Sequence, residues 1–480
     1  MCRTAIPFVF QKTEYPAVND AMIGIKDFIK SICSGLIPIL LSSILMTGCT
    51  GPGIGGNAAD TEKILDYPKN SSGGKRTTLR IATMFGGTDP AAAVYEETIL
   101  NFQDENPSIE ITDESMTSEG DGYRTKIKTD FSSGNDLDVV FFYTRADARY
   151  IIQAGKLMPY EEMWTDYPDL AKDITDFSRE AMREFDGKIY ALPVTGFYEG
   201  LFLNRELFQK YQVELPTDWS KFKNAIQKFH QAGIVPIAGP LAQSHYLIEH
   251  FILSAAGAQG HQDVFANGIN PDWILGFQNL RKIYDMDGFS KDAATTDIEM
   301  AQDLFRREKA AMILEGSWLI GGCSKELQEK MTVLPMPPAP NGKMDPDTLV
   351  AGLSSGYSIS TKAWQDPAKR KAAVKLVNTL LSREVVLKMA AANGGVPAAG
   401  VSVSGLSPVA KDGYMMFARA KYRNMPIDSR LVPEAFNEIV KYGVPYIVTG
   451  EKTPEDVLEQ VRKIQNPRDG SGRETEGKRY

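Results

Sequence analysis

Aromatic and charged residues stand where several predicted strands end, which is where an open α/β sheet presents side chains to a ligand. Flat aromatic rings can stack on the apolar faces of a ligand, and charged groups can bond to its polar edges. The set therefore predicts a binding site for a small polar molecule that also has apolar faces. The candidate ligand-binding residues are Phe85, Asp89, Tyr143, Arg145, Tyr198, Glu199, Trp318 and Tyr357.

Some of these candidates also have a structural explanation. Phe85 and Tyr143 are residue types that often lie in a core, and Asp89 can cap a helix that begins at Pro90. Trp318 can begin a helix and pack inward together with Leu319. Each candidate is therefore a hypothesis that burial and contacts must decide.

The elements that position these residues alternate between strands and helices. Residues 138–143 form a continuous apolar run, typical of a strand buried on both faces, and residues 310–314 form another. Asn204 and Asp366 precede predicted helices as N-caps. The alternation predicts an α/β fold with mostly parallel sheets.

An enzyme is the main alternative from the residues alone. Residues 352–356 read Gly-Leu-Ser-Ser-Gly, which fits the nucleophile-elbow pattern of serine hydrolases. That pattern requires a strand before the serine, a helix after it and a later histidine, whereas here a strand is predicted to follow and His261 is the last histidine. A glycoside hydrolase needs only two opposed carboxylates, so the sequence leaves that possibility open.

Charge and cysteine content restrict the chemistry further. The net charge of −8 argues against a nucleic-acid partner, because phosphates attract a basic surface. The cysteines are Cys2, Cys33, Cys49 and Cys323, and only the last falls within the predicted fold. This spacing predicts neither a disulfide framework nor a zinc site, and no metal or cofactor is expected.

The N-terminal segment has the pattern of an export signal. Lys26 and Lys30 precede the apolar run 32–46, and Thr47-Gly48-Cys49 follows. The segment resembles a bacterial lipobox, with Met46 where a smaller aliphatic residue is usual, and this implies a lipid on Cys49. We expect a signal peptide at 1–48, with Met22 as an alternative start, a flexible tether at 49–76 and a disordered tail at 467–480.

Residues 187–239 carry an ordered set of motifs. The matching positions are Gly187, Lys188, Tyr190, Pro193, Asn204, Arg205, Phe208, Pro216, Thr217, Trp219, Ala232, Gly233, Ile234, Pro236 and Ile237. This pattern resembles the carbohydrate-binding, maltodextrin-type members of the extracellular solute-binding proteins of ABC transporters. The run from Lys309 to Trp318 resembles the family motif whose Trp stacks on a sugar ring.

The resemblance implies the two-lobe fold of periplasmic binding proteins (class II type). Each lobe would be a mostly parallel sheet flanked by helices, with a ligand cleft at the hinge between them. The first lobe would comprise 77–193 and 338–382, and the second would comprise 194–337 and 383–466. The chain would cross between lobes just after Pro193 and again within the proline-rich segment 335–340.

The resemblance also implies a function outside the cytoplasm. The protein would be a lipid-anchored monomer on the outer face of the bacterial cell membrane. It would capture a carbohydrate without catalysis and deliver it to the permease subunits of an ABC importer. A peptide, a polyamine or a ferric complex is the alternative ligand, since the residues alone do not name the solute.

Overall fold

A computed structural model describes residues 76–117, 122–265 and 267–467, in which two β-sheets are covered by helices. The strands are β1 (Thr77–Ala82), β2 (Ile109–Asp113), β3 (Val139–Tyr143), β4 (Thr195–Asn204), β5 (Val235–Ala238), β6 (Ala310–Gly316), β7 (Met331–Leu334), β8 (Thr348–Gly352), β9 (Ser355–Ile359), β10 (Val396–Pro397) and β11 (Tyr422–Asn424). The α/β class predicted from the sequence is confirmed.

Helices separate most of these strands along the chain. They are α1 (Ala92–Glu105), α2 (Gly122–Ser132), α3 (Arg149–Gln153), α4 (Tyr160–Asp166), α5 (Asp176–Ala181), α6 (Arg205–Lys210), α7 (Trp219–Gln231), α8 (His245–Gln262), α9 (Pro271–Asp285), α10 (Ile298–Arg306), α11 (Lys325–Lys330), α12 (Thr361–Gln365), α13 (Pro367–Leu380), α14 (Arg383–Asn393), α15 (Pro408–Arg419), α16 (Pro433–Asn437), α17 (Val444–Thr449) and α18 (Pro454–Gln465). Short 3-10 turns complete the fold, and two of them, Ser317–Gly322 and Ile427–Ser429, bear on the site.

The first sheet has the strand order β2–β1–β3–β9. Strand β1 is parallel to β2 and to β3, and β9 runs antiparallel to β3 at the edge. Residues 139–142 of β3 are all buried, as the apolar run predicted, because helices cover both faces of a mostly parallel sheet.

The second sheet is mixed, with the order β11–β8–β4–β6–β5 and with β7 and β10 also paired to β4. Strand β4 runs antiparallel to β6, β7, β8 and β10, and only the pairs β5–β6 and β8–β11 are parallel. The prediction of a mostly parallel sheet is therefore wrong for this half. An apolar run indicates burial but not strand direction, which the connections between strands decide.

The second passage between the sheets also differs from the prediction. Strand β8 still pairs with β4 in the second sheet, and β9 then joins the first sheet. The chain therefore passes between the sheets at Leu353–Ser354 and not within the proline-rich segment 335–340. Prolines restrict the backbone locally, but the strand partners lie far away in sequence. The remaining boundaries of the two predicted lobes stay a prediction.

Strand β4 presents two different faces. Glu199 and Leu201 point toward α8 and its core, whereas Tyr198 and Phe202 point into the core that includes α15. The alternation follows from the two-residue period of a strand. We call the side facing α8 the front face and the side facing α15 the back face.

Local capping signals place several helix starts correctly. The Asn204 side chain accepts a hydrogen bond from the backbone N–H of Leu207, and Asp366 caps α13, whose first residue is Pro367. Helix α7 begins at Trp219, directly after its N-cap Asp218, whose side chain accepts a hydrogen bond from the backbone N–H of Lys221. Among the described residues, none of the helices is both long enough and apolar enough to cross a membrane.

The predicted signal peptide, Cys49, nearly all of the tether and nearly all of the tail lie outside the described residues. Those interpretations therefore remain predictions from the sequence.

Candidate functional site

Three aromatic side chains lie close together near the carboxyl end of β6 in the second sheet. The centroid of the Trp318 ring lies 6.2 Å from that of Phe197 and 5.0 Å from that of Tyr246. Trp318 is half-buried, whereas Leu319 beside it is fully buried. We call Phe197, Tyr246 and Trp318 the aromatic cluster, and its partial exposure leaves aromatic surface open to a ligand.

Glycine at the end of β6 allows this arrangement. A Cβ atom at Gly316 would lie 2.2 Å from the Trp318 ring, so any larger residue would displace the indole. Strand β6 is buried along its whole length, and the 3-10 turn Ser317–Gly322 begins directly after it. Trp318 therefore lies just beyond the strand end, as the sequence predicted, at the start of a short helical turn.

A series of hydrogen-bonded side chains, Arg306, Gln302 and Glu315, leads to the Trp318 indole. The Glu315 carboxylate accepts hydrogen bonds from Gln302 Nε2 at 2.7 Å and from the backbone N–H of Gly316 at 2.6 Å, and the Trp318 side chain also bonds to it. Arg306 Nη2 donates to Gln302 Oε1 at 2.5 Å. Burial raises the pKa of Glu315 to about 7, although these hydrogen bonds favour the charged form.

Glu199 and His250 form a second buried pair, on the front face of β4. Both side chains are at most 2% exposed, and Glu199 Oε2 lies 3.6 Å from His250 Nε2. Among the described residues, neither carboxyl oxygen and neither ring nitrogen has a hydrogen-bond partner. Burial raises the pKa of Glu199 and lowers that of His250 to about 3, so both groups tend to be neutral.

In the adjacent pair of Glu249 and His261, both ring nitrogens and Glu249 Oε1 are hydrogen-bonded. The amides of Asn424 and Gln262 approach His261 Nδ1 at 3.1 Å and 2.9 Å, so this nitrogen accepts and Nε2 carries the proton. Nε2 then donates to Glu249 Oε1 at 3.0 Å, which also accepts from the N–H of Ile427 at 2.8 Å. Burial raises the pKa of Glu249 to about 8.

Tyr143 of the first sheet lies near Tyr246 and the carboxyl groups described above. Tyr143 ends β3, and the guanidinium carbon of Arg124 lies 4.2 Å from the centroid of its ring. Burial raises the pKa of Tyr246, and the charges of Glu315, Glu199, Asp428 and Tyr143 raise it further. Tyr143 is thus close enough to Tyr246 to interact electrostatically across the two sheets.

Asp428 makes a second connection between the sheets. Asp428 is exposed, but partial loss of hydration at its carboxyl group raises its pKa to about 6, the charge of Glu249 adds to this increase, and the charge of Arg124 opposes it. The aromatic cluster, Tyr143 and Asp428 together make up a region that we call the candidate cleft, and burial favours the protonated form of several carboxyl groups there. Such groups can both donate and accept hydrogen bonds, which suits a ligand rich in hydroxyls.

Three predicted ligand residues lie in the core instead. Phe85 and Tyr357 are 5% and 1% exposed, and both pack against Phe141, with ring centroids 4.6 Å and 4.9 Å away. Tyr198 is fully buried on the back face of β4, against Gly413 of α15. A ring without exposed surface offers no stacking face, so we do not carry these three residues into the proposed site.

Asp89 and Arg145 have local roles. Asp89 Oδ1 accepts a hydrogen bond at 2.8 Å from the N–H of Ala91 in the turn before α1, but α1 begins at Ala92 and its N-cap is Ala91, so Asp89 is not the N-cap considered above. Arg145 is exposed with a positive φ of 59°, and its backbone N–H donates to Glu184 Oε1 at 2.8 Å. Of the eight candidates, Tyr143, Glu199 and Trp318 lie near Tyr246 in the candidate cleft.

Sequence reasoning missed several residues of this cleft. Tyr246 lies in the first turn of α8, soon after the carboxyl end of β5, and this position was a usable signal. Phe197 alternates with Tyr198 along β4, so the choice between them depended on which face the cleft occupies. Asp428 lies far along the chain, in a 3-10 turn that no periodicity marks.

The enzyme-like patterns find no support in the structure. Residues 352–356 end β8 and begin β9, so the serines lie between two strands and no helix follows. Within the described ranges, no three His, Cys, Asp or Glu side chains are arranged to hold a metal ion.

Similar solved structures share this architecture. A chitin oligosaccharide binding protein superposes with a TM-score of 0.71 at 22% identity, covering 82% of this chain and 99% of that protein. A maltose/maltodextrin-binding domain from Bdellovibrio bacteriovorus, bound to maltotriose, gives a TM-score of 0.64 at 19% identity, covering 82% and 100%. At these identities the likeness establishes the two-lobe periplasmic-binding-protein fold.

Sequence comparisons lead to the same group of proteins. A binding protein of Brucella abortus is 23% identical over 309 residues, which cover 63% of this chain and 72% of that protein. A maltotriose-binding protein of Pyrococcus abyssi is 26% identical over 189 residues, or 39% of each chain. The model of the bacterial extracellular solute-binding proteins matches residues 87–386, and the chain belongs to this family.

Proposed function

We propose that the protein captures a sugar or oligosaccharide outside the cytoplasm and delivers it to the permease of an ABC importer. The observation that carries this proposal is the half-exposed Trp318 ring, held by Phe197 and Tyr246 beside buried carboxyl groups. A sugar ring has C–H faces that pack on an aromatic surface and hydroxyls that bond to polar groups around it. The names of two similar proteins, which bind maltotriose and chitin oligosaccharides, support the same ligand class.

The state of the carboxyl groups favours a sugar over a polyamine. A polyamine site requires negative charges, whereas burial raises the pKa values of Glu199, Glu249 and Glu315 and so favours their neutral forms. A ferric site would instead be expected to gather several accessible tyrosines. Of the alternative ligands, a peptide is the one whose chemistry differs least from that of a sugar.

We propose Tyr143, Tyr246, Phe197 and Trp318 as the aromatic surfaces of the cleft and Glu199 and Asp428 as its polar groups. Tyr143 ends a strand of the first sheet, whereas Phe197 and Glu199 lie on β4 of the second sheet, so a ligand between them would contact both sheets. Tyr246, Trp318 and Asp428 lie on α8 and on two 3-10 turns. In the predicted two-lobe arrangement, closure of the lobes would enclose the sugar.

A thermal-shift screen against oligosaccharides of different composition and length tests this proposal. A ligand that binds only the folded state raises the melting temperature by mass action. A sugar that raises the melting temperature of the native protein but not of Trp318→Ala would support the cleft. If only peptides or polyamines stabilise the protein, the ligand class proposed here is wrong.

We further propose that the protein binds without catalysis. The family is one of binding proteins, and Gly352–Gly356 lacks the strand-to-helix turn of a nucleophile elbow. A bound oligosaccharide should therefore be recovered unchanged after long incubation. Release of new reducing ends, abolished in Glu199→Gln, would instead identify a glycoside hydrolase.

The proposed location rests on the sequence before the fold. Lipid attachment at Cys49 would hold a monomer at the outer face of the cell membrane, with residues 49–76 as a tether. Cys49→Ala should release the protein from the membrane fraction in soluble form. Retention of that variant in membranes would show that the apolar run is an uncleaved anchor, and sedimentation of the released protein would test whether it is a monomer.

A further inference from the structure

A second cavity, of about 300 Å³, lies on the back face of β4, away from the aromatic cluster. Its walls come from the start of α5, the segment 396–403, and the end of α15 with β11. Its apolar lining includes Phe177, Val396, Val401, Tyr414 and Phe417. We call this cavity the back pocket.

The position of the back pocket follows from strand alternation. Phe197 contacts Trp318 in the aromatic cluster, while its neighbour Tyr198 contacts Gly413 of α15. Helix α15 also supplies Tyr414 and Phe417 to the back pocket. Strand β4 therefore separates the back pocket from the aromatic cluster, and the back pocket is not part of the proposed sugar site.

The back pocket has one charged group, the guanidinium of Arg423. Its carbon lies 4.7 Å from the ring centroid of Phe417 and 5.7 Å from that of Phe177. Arg423 donates to the backbone carbonyl of Phe417, with its Nη2 at 2.7 Å. Among the described residues it forms no salt bridge, and no Asp or Glu lines the cavity.

The surroundings of Arg423 favour an anion. Its side chain is half-buried, and burial lowers its pKa because apolar walls replace part of its hydration. A guanidinium keeps donors available beyond those already used, and a carboxylate fits its planar geometry. Phe177 is 56% exposed, so its ring presents apolar surface that a bound molecule would cover.

We propose that the back pocket binds a small apolar carboxylate, whose hydrocarbon part contacts Phe177, Tyr414 and Phe417 while its carboxylate pairs with Arg423. The volume lies at the lower end of the range for small-molecule sites, and an apolar lining with few polar groups is typical of them. The occupant is defined by two features together, a negative charge and a short apolar body. A neutral chain would lose the ion pair, and a cation would be repelled.

Calorimetric titration with octanoate, 1-octanol and octylamine at neutral pH tests this proposal. Octanoate should bind about tenfold or more tightly than 1-octanol, since a charge-assisted hydrogen bond is stronger than a neutral one. Octylamine should bind most weakly. Equal affinity for octanoate and 1-octanol, or no binding of octanoate at millimolar concentration, would overturn the proposal.

Variants separate the charge from the apolar wall. Arg423→Gln should remove the preference for octanoate over 1-octanol, whereas Arg423→Lys should retain part of it. Phe177→Ala should weaken the binding of both molecules and, since this ring is largely exposed, should leave the fold intact. Melting temperatures and near-ultraviolet circular dichroism verify that each variant is folded. A full preference for octanoate in a folded Arg423→Gln protein would place the anion elsewhere.

Discussion

The front and back faces of β4 differ in how completely their side chains are packed and paired. On the front face, the side chains of Glu199 and His250 are buried and have no hydrogen-bond partner within the described part of the chain, and the half-exposed Trp318 lies just beyond the end of the neighbouring strand. On the back face, Tyr198 is enclosed so closely that a Cβ at Gly413 would lie 2.0 Å from its hydroxyl oxygen. Two adjacent residues of one strand, Tyr198 and Glu199, thus serve a packed core and a candidate cleft.

This difference shows how a site can be distinguished from a core. Both faces are apolar overall, and the Tyr198 hydroxyl, like Glu199 and His250, has no hydrogen-bond partner among the described residues. The front face, however, combines partly exposed rings with several carboxyl groups from distant segments, whereas the back face near Tyr198 is closed by a helix. Partial exposure together with unusual pKa values is the combination expected at a functional site.

The largest expected effect is on folding, from Gly413→Leu. The new side chain would overlap the Tyr198 ring within a closed interface, so the free energy of unfolding should fall by about 3 kcal/mol or more. Urea denaturation measures this change. Adding Tyr198→Leu should recover part of the loss by removing the ring; a single variant as stable as the native protein would mean that the back face is looser than described.

Trp318→Ala should have the next largest effect, and on binding. Loss of the stacking face should cost about 1–3 kcal/mol in binding free energy, by analogy with aromatic stacking on bases, which is about tenfold to more than a hundredfold in affinity. Calorimetry with the sugar found in the screen measures it. Trp219→Phe is the matched control, because Trp219 packs against Phe222 and Phe251 and lies outside the cleft.

Unchanged affinity of Trp318→Ala, together with a large decrease in melting temperature, would show that the indole is a core residue. In that case the front and back faces of β4 would not differ in function.

The buried ionisable groups predict a pH dependence of stability. Folding raises the pKa values of Glu249 to about 8 and Glu315 to about 7, so between pH 6.5 and 8 the folded state binds protons that the unfolded state has lost. The free energy of unfolding should therefore fall as pH rises, by at most about 1.4 kcal/mol per pH unit for each proton. His250 and His261 have pKa values lowered to about 3, so they reduce the free energy of unfolding only as the pH falls below 6.5.

Urea denaturation at several pH values measures this slope, and Glu249→Gln should reduce it. A stability that is constant or rises between pH 6.5 and 8 would contradict the assignment of protonated carboxyl groups to the front face.

The smallest expected effect comes from Tyr198→Phe. Its hydroxyl is buried and has no hydrogen-bond partner among the residues that the structure describes, so removing it should change the free energy of unfolding by less than about 1 kcal/mol and could increase it. Sugar affinity should not change, because the ring faces the back of β4. A weaker sugar affinity in this variant would restore Tyr198 as a ligand residue.

The sequence predicted local structure well where the signal was local. The N-caps at Asn204 and Asp366 and the buried run of β3 all appear as expected. Trp318 was placed correctly beyond β6 because an apolar run and the glycine after it mark the strand end. The choices among aromatic residues were less successful, since Phe85 lies beyond the end of β1 and Tyr357 lies in the middle of β9, and both rings are buried in the core.

The sequence by itself determined the α/β class, the positions of most strands and helices and, through ordered motifs, the family. These features depend on the spacing of apolar residues, on caps and on short motifs, which act over a few residues. Only the tertiary structure decided that β4 runs against its neighbours, that Glu199 faces His250, and that Tyr246, Trp318 and Asp428 approach one another. Those arrangements depend on contacts between segments far apart along the chain, and a strand's pattern of buried residues does not indicate which strands pair with it.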